Sequence, residues 1–277
     1  MKDYLNYTFD QNDPEFISTQ DELPLWSAPF GFKLLDTIKL KKNINVLDIG
    51  SGFGFPLIEV SQRLGNSCKA FGIDPWKPAV ERIELKIKKY ALSNIKIIEG
   101  AAGDLPFNNS YFDLIVSNNG INNVADMEKV FAECYRTIKR DGQFVFTLNL
   151  KKTMIEFYNI FEEILREFNL LNEIDLMHRH IYHKRKPEEE IVDKLQNAGF
   201  VINSVICHSF HYRFADASAM FNYPMIKCWM LPSWIEIVPE DKREKIFNRI
   251  EEELNIIAKE KGEIKLTVPF AVFDCTK

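Results

Sequence analysis

The chain lacks paired cysteines. Its five, Cys68, Cys134, Cys207, Cys228 and Cys275, are odd in number, scattered over 277 residues and never spaced as C-x-x-C. That pattern gives no disulfide framework and no zinc spacing, so no metal site is expected. There is no apolar run long enough to span a bilayer, and the polar, acidic beginning has neither a basic nor an apolar leader region. Neither an integral membrane segment nor a signal peptide is expected, and a reducing cytoplasm is the expected location. Positive charge is not in excess: 35 Lys and Arg stand against 40 Asp and Glu, for a formal charge of −5. A nucleic acid is therefore disfavoured as main partner, although a local basic patch can still hold an anion. Low-complexity segments and internal repeats are absent too. What remains, 46% hydrophobic and 27% charged, is the composition of a globular chain with one large domain, or one domain plus a sizeable insert.

The most informative stretch is Val46–Gly54, VLDIGSGFG. A short apolar run ends in Asp48 and passes into glycines at alternate positions, Gly50, Gly52 and Gly54. The run predicts a buried strand, and the glycines predict a tight turn whose bare backbone can approach a ligand. A helix, Pro56–Leu64, is predicted next, because proline suits a first helical turn. Strand, turn and helix together make a cradle for a nucleotide-type cofactor. A dinucleotide fingerprint needs a third glycine at position 55, and Phe55 stands there, which argues against a nicotinamide oxidoreductase. A glycine-rich turn that merely tightens a corner is the plainer alternative.

From 44 to about 150, strand and helix alternate. Strands are predicted at 44–49, 69–74, 95–99, 112–118 and 143–149, and helices at 29–40, 78–92 and from Asp126 to Ile138, which implies a parallel sheet with helices on both faces. Farther on, helices are predicted at 153–168 and 187–198, a sixth strand at 201–210, a charged helix at 240–261 capped by Gly262, and a last strand at 265–274 kinked or bulged at Pro269. Residues 213–262 shift to an aromatic and methionine-rich composition and are read as an insert between the last two strands. Residues 1–27, polar with interspersed aromatics, are read as a lid or a loosely packed tail.

The pattern D-x-G-x-G-x-G over Asp48–Gly54 resembles motif I of the class I S-adenosylmethionine-dependent methyltransferases. EGAAGDLPF (residues 99–107) is similar to the loop after the third strand in type 11 methyltransferases. FDLIVSNNGINNV (112–124) is similar to a segment of the ubiquinone/menaquinone C-methyltransferases, with Asn122 where those enzymes carry Arg. The resemblance covers about 44–150 by motif and reaches 210 by order of elements. It implies a Rossmann-like, doubly wound α/β fold: seven strands, mostly parallel, the last antiparallel, with a small helical insert at 213–262. The expected organisation is an N-terminal lid segment, 1–28, and a methyltransferase domain, 29–277.

The resemblance also implies methyl transfer from S-adenosylmethionine, with S-adenosylhomocysteine as product. Asp48 would serve the cationic amino end of this cofactor, and N–H groups of Gly50, Ser51, Gly52 and Gly54 would favour its carboxylate. Asp74 would accept the ribose hydroxyls, with Pro75 and Trp76 flanking the adenine. The alternative for Asp74 is a helix cap. Ala101 replaces the usual adenine-contacting Asp, while Ala102 would offer its N–H to the ring. Asn118 borders the methyl donor, and Asn119 and Asn122 border the acceptor, where amides orient without adding charge; a simple Asn/Gly turn is the alternative. His211, beside the insert, is a weak candidate for a base toward the acceptor. No residue is nominated as catalytic. The basic run His178–Arg185 is read as a solvated loop or helix end, or as a place for a phosphate or carboxylate. The aromatic band of the insert points to a small, partly apolar organic acceptor. A non-catalytic cofactor-binding protein acting through a partner is the rival from another class. No oligomeric state follows.

Overall fold

The computed structural model describes residues 2–21 and 25–277. Its strands are β1 (Asn45–Ile49), β2 (Lys69–Asp74), β3 (Ile95–Glu99), β4 (Phe112–Asn118), β5 (Ile138–Asn149), β6 (Val201–Phe214) and β7 (Ile264–Thr276), in one seven-stranded sheet of order β3-β2-β1-β4-β5-β7-β6. The pairs β1–β2, β1–β4, β2–β3 and β4–β5 are parallel, and β5–β7 is antiparallel. The predicted doubly wound sheet with its reversed last strand is thus the one observed. Four of the five residues of β1 are buried, as expected for a central parallel strand covered on both faces. The order of strands turns back between β1 and β4. In open α/β sheets that switch point, at the carboxyl ends of the strands, is where ligands bind.

The helices are α1 (Pro14–Asp21), α2 (Ser27–Thr37), α3 (Leu57–Leu64), α4 (Lys77–Lys89), α5 (Met127–Thr137), α6 (Ile155–Glu167), α7 (Leu171–Lys184), α8 (Glu188–Asn197), α9 (Ala217–Asn222), α10 (Pro224–Trp229), α11 (Leu231–Ile237) and α12 (Arg243–Lys261). Local chemistry sets several ends. The Asp126 carboxylate accepts the Lys129 N–H at 3.0 Å and starts α5, and Gly262, at φ 81°, ends α12, as left-handed glycines do. β5 and β7 pair evenly from Gln143↔Thr276 to Asn149↔Phe270, and Pro269, where a kink or bulge is expected, lies just beyond this stretch. Several elements depart from expectation; β6, for one, runs on to Phe214 and does not end at 210, and α1 forms within the segment read as a lid or tail. β5 begins at Ile138, not 143, because Ile138 pairs with Phe112 before the register shifts. The run 178–185 falls mostly on α7, whose apolar face buries Ile174, Met177 and Ile181.

The chain forms two compact units. The sheet unit comprises Gln11–Asn149, Lys186–His208 and Phe270–Lys277; the helical unit comprises Met1–Asp10, Leu150–Arg185 and Ser209–Pro269. In the sheet unit, Phe146 stacks on Phe273 at 4.7 Å, and Phe71, Phe107 and Phe112 meet edge to face. Asp21 of α1 pairs with Arg82 (2.7 Å) and Lys86 (2.5 Å) of α4. The helical unit packs around Phe157, Phe161, Phe221, Trp234 and Phe247, all fully buried, with Phe157 stacked on Trp234 at 3.8 Å and Tyr4 on Phe221 at 4.8 Å. It is larger than the insert read from composition, because it takes in α6 and α7 as well as α9 to α12. The segment up to Asp10 groups with it, whereas α1 groups with the sheet.

Candidate functional site at the carboxyl edge of the sheet

Asp48, the next-to-last residue of β1, is fully buried between its register partners Gly72 on β2 and Val116 on β4. No hydrogen bond of ordinary geometry reaches either carboxylate oxygen. The Ser51 hydroxyl, itself buried, donates instead to the Asp48 backbone carbonyl at 3.0 Å. Burial, and then the nearby charge of Asp74, push the Asp48 carboxyl well above the usual carboxylate range; the Leu57 N–H and the Ser51 hydroxyl lie close enough to offset this only in part. A buried, unpaired carboxyl is costly and invites a cation.

The glycine turn follows. Gly50, Gly52 and Gly54 all have positive φ (69°, 50° and 100°). A side chain on Gly50 would come within 3.0 Å of the Gly120 backbone, so the loops after β1 and β4 approach each other only because both positions are bare. At Gly52 a Cβ would meet nothing within 4 Å, so the turn faces open space there. The N–H groups expected to greet a carboxylate are largely committed. Those of Gly50 and Ser51 donate to the Ile73 carbonyl (2.9 and 3.3 Å), that of Gly54 to the Ser51 carbonyl (2.8 Å), and that of Gly52 to Asp74 Oδ2 (2.9 Å). The difference has a simple cause: a tight turn beside two parallel strands satisfies its own donors.

Asp74 ends β2 and has two attachments. Oδ2 accepts the Gly52 N–H, and Oδ1 accepts the Trp76 N–H at 2.9 Å where α4 begins. Asp74 is not the cap of α4, which is Trp76; one of its bonds turns the chain just ahead of the helix, and the other ties β2 to the glycine turn, a bond that no spacing in the chain announces. Each oxygen keeps a lone pair beyond these bonds. The Trp76 ring is half-buried and tilted against Phe53, 5.2 Å between centroids; Pro75 is exposed. After β3, Ala101 is exposed and Ala102 is buried, in a turn closed by the Asp104 N–H to the Ala101 carbonyl at 3.2 Å. The Asp104 side chain is exposed.

At the end of β4 the asparagines interlock. Asn118 donates to the Ser27 carbonyl at the start of α2 and accepts from Thr147 on β5, both at 2.9 Å, so its amide is a brace. Asn119, in the left-handed region at φ 61°, accepts the Asn149 N–H at 3.0 Å and the Asn122 amide. The Asn122 amide also donates to the Asn149 side chain. Asn119, Asn122 and Asn149 thus form a closed carboxamide cluster on the loops after β4 and β5. Sequence reasoning missed Asn149 and Thr147; the polar ending of an otherwise apolar strand was the available signal. His211 is exposed on the stretch of β6 that belongs to the helical unit, whereas the other residues belong to the sheet unit. Among the described residues no cluster of His, Cys, Asp and Glu suits a metal, and no helix is long and apolar enough to cross a membrane.

An acidic strand end, a positive-φ glycine turn and a second acid bound to that turn stand at the switch point of a 3-2-1-4-5-7-6 sheet, which is the Rossmann-like α/β fold that methyltransferases adopt. Residues 47–146 match the sequence model of a methyltransferase domain. The chain is 31% identical over 129 residues to a demethylmenaquinone methyltransferase of Geobacillus, across 46% of this chain and 55% of that protein. It is 26% identical over 187 residues to a demethylmenaquinone methyltransferase of Listeria welshimeri, across 62% and 76%. Its fold matches that of a SAM-dependent methyltransferase from Aquifex aeolicus with a TM-score of 0.52 and 20% identity, across 70% and 92%. The match to the Geobacillus protein therefore spans about half of that relative's length. Residues 47–146 are thus similar to a methyltransferase domain, and the sheet has the fold of one.

Proposed function

We propose that this protein transfers a methyl group from S-adenosylmethionine to a small, partly apolar organic acceptor. The observation that carries the reading is the buried, unpartnered carboxyl of Asp48 beside a glycine turn that opens into space at Gly52. An ammonium would complete Asp48, and the free lone pairs of Asp74 suit a pair of ribose hydroxyls. Trp76 offers a ring face to a base. The turn donors already in use leave the cofactor carboxylate to other groups. When bound, the cofactor supplies a methyl group activated on a sulfonium. The chain's own task is to align two reactants and keep out water. In that task the cluster Asn119–Asn122–Asn149 presents neutral amides, fixed by one another, that orient an acceptor without placing an anion near a sulfonium. The name of the two relatives supports an apolar acceptor of the quinone kind.

The test is calorimetric titration with S-adenosylhomocysteine, with NADH as control, followed by an acceptor screen with labelled methyl donor. Micromolar binding of the first and none of the second is the expected result. Absence of binding to the folded chain overturns the reading.

A further inference from the structure

The helical unit holds a buried cation without a counter-ion. Arg185, at the end of α7, is 3% exposed. Its Nη1 donates to the Tyr158 hydroxyl at 3.3 Å, and its guanidinium lies 5.5 Å from the centroid of that ring. Nε is buried with no partner, and no ion pair joins Arg185 among the described residues. Tyr158, buried on α6, also accepts the Trp234 Nε1–H at 3.0 Å. Its hydroxyl oxygen thus receives two N–H groups, and its own proton is left to donate elsewhere. The acid of α6 that meets cations nearby is engaged: Glu162 binds Arg166 and His178. The surroundings are positive as well. Half-buried His180 has its pKa pushed down to about 4, by burial first and then by Arg185, Lys184 and His183.

We propose that Arg185 and Tyr158 form a binding site within the helical unit for one oxyanionic group, a carboxylate or a phosphate. With Nη1 taken by Tyr158, the edge formed by Nε and Nη2 remains, and that edge is the planar fork that grips two oxygens of one oxyanion side by side. The Tyr158 O–H stands one hydrogen bond away to serve the same group. A buried guanidinium and a buried hydroxyl donor, both short of acceptors, are satisfied together by a single anion. The site does not rest on methyl transfer, and its test omits the methyl donor.

The full chain is titrated with inorganic phosphate and, in a separate arm, with acetate, at constant ionic strength and neutral pH. Binding is read by calorimetry and by the side-chain Nε–H resonance of Arg185. The expected result is saturable binding in at least one arm, with a downfield shift of that resonance. Binding weakens by about tenfold in Arg185→Lys, which keeps the charge and loses the fork, and by about threefold in Tyr158→Phe, which keeps the ring and loses the proton. The arm that binds more tightly identifies phosphate or carboxylate as the natural group. No saturable binding in either arm, or an Nε–H resonance that does not move, overturns the proposal. Arg185 is then a cation that neutralises the carboxyl end of α7. The resonance is read on the unaltered chain, so the test decides even where a variant fails to fold.

Discussion

At the carboxyl edge of the sheet unit, polar side chains are tied into one another: Asp74 to two backbone N–H groups, Asn118 to α2 and β5, and Asn119, Asn122 and Asn149 to each other. One group is left over, the buried carboxyl of Asp48. In the helical unit the interior is aromatic, and the group left over is a buried cation, Arg185. Among the described residues, these two ionisable side chains, each with a buried polar atom that no hydrogen bond reaches, are thus of opposite type, one in each unit. Isolated buried charge is among the costliest features a fold can keep. In the two proposals above, a ligand of complementary charge completes each of them, an ammonium in the first case and an oxyanion in the second.

The largest expected effect breaks the ties of the sheet unit. Asp74→Ala removes two charge-assisted bonds that hold Gly52 and Trp76, which costs about 3 kcal/mol of stability and lowers affinity for S-adenosylhomocysteine by about a hundredfold. Chemical denaturation and calorimetry read the two losses, and unchanged affinity would show that Asp74 is only a brace. Asp48→Asn separates binding from stability. Burial lifts the Asp48 carboxyl, so the folded chain holds that proton more tightly than the unfolded chain does. The stability this gives is full below the unfolded value of about 3.9 and falls as pH rises through the higher folded value. The neutral variant therefore melts higher than the parent at neutral pH, by on the order of 2–4 °C, while its affinity for S-adenosylhomocysteine drops at least about tenfold. A lower melting temperature would mean that the charge of Asp48 is stabilising as it stands.

The same shift predicts that ligand binding near the folded pKa of Asp48 releases a proton. Calorimetry in two buffers of different ionisation enthalpy should report it, and Asp48→Asn should abolish it. Asn122→Ala opens the carboxamide cluster. It is expected to slow methyl transfer by about tenfold with a stability loss of about 1–2 kcal/mol, and to leave S-adenosylhomocysteine affinity near that of the parent. A matching fall in that affinity would place the cluster on the donor side. The smallest effect is Gly52→Ala, where a methyl group meets no neighbour and the left-handed backbone costs about 1 kcal/mol. Unaltered binding in that variant would show that the open space at Gly52 is not where the ligand lies.

Much of the sheet unit was legible in the chain. The boundaries of β2, β3 and β4 coincide with those read from the chain; β2 and β4, buried almost throughout, are written as short hydrophobic stretches, whereas the edge strand β3 buries only Ile95. The spacing of Asp48, Gly50, Gly52, Gly54 and Asp74 reports a local need, a turn that bends at positive φ, and local needs are visible in sequence. The helical unit was not legible to the same degree. Residues 178–185 read as solvated because seven of the eight are polar or charged, or carry a hydroxyl. Yet α7 turns only part of that run to solvent and carries Arg185 inward.

By itself the amino-acid order determined the strand–turn–helix alternation, the glycine turn and the two acids at the ends of β1 and β2, since each follows from backbone sterics and near-neighbour burial. Only the tertiary structure decided which N–H groups of the turn are already spent, that Asn149 joins Asn119 and Asn122, and that α6, α7 and the first ten residues group with the later helices. It also decided that the Asp48 carboxyl oxygens and Arg185 Nε are buried with no hydrogen-bond partner. Whether a polar group is paired depends on residues far away in the chain, and no local rule of spacing carries that information.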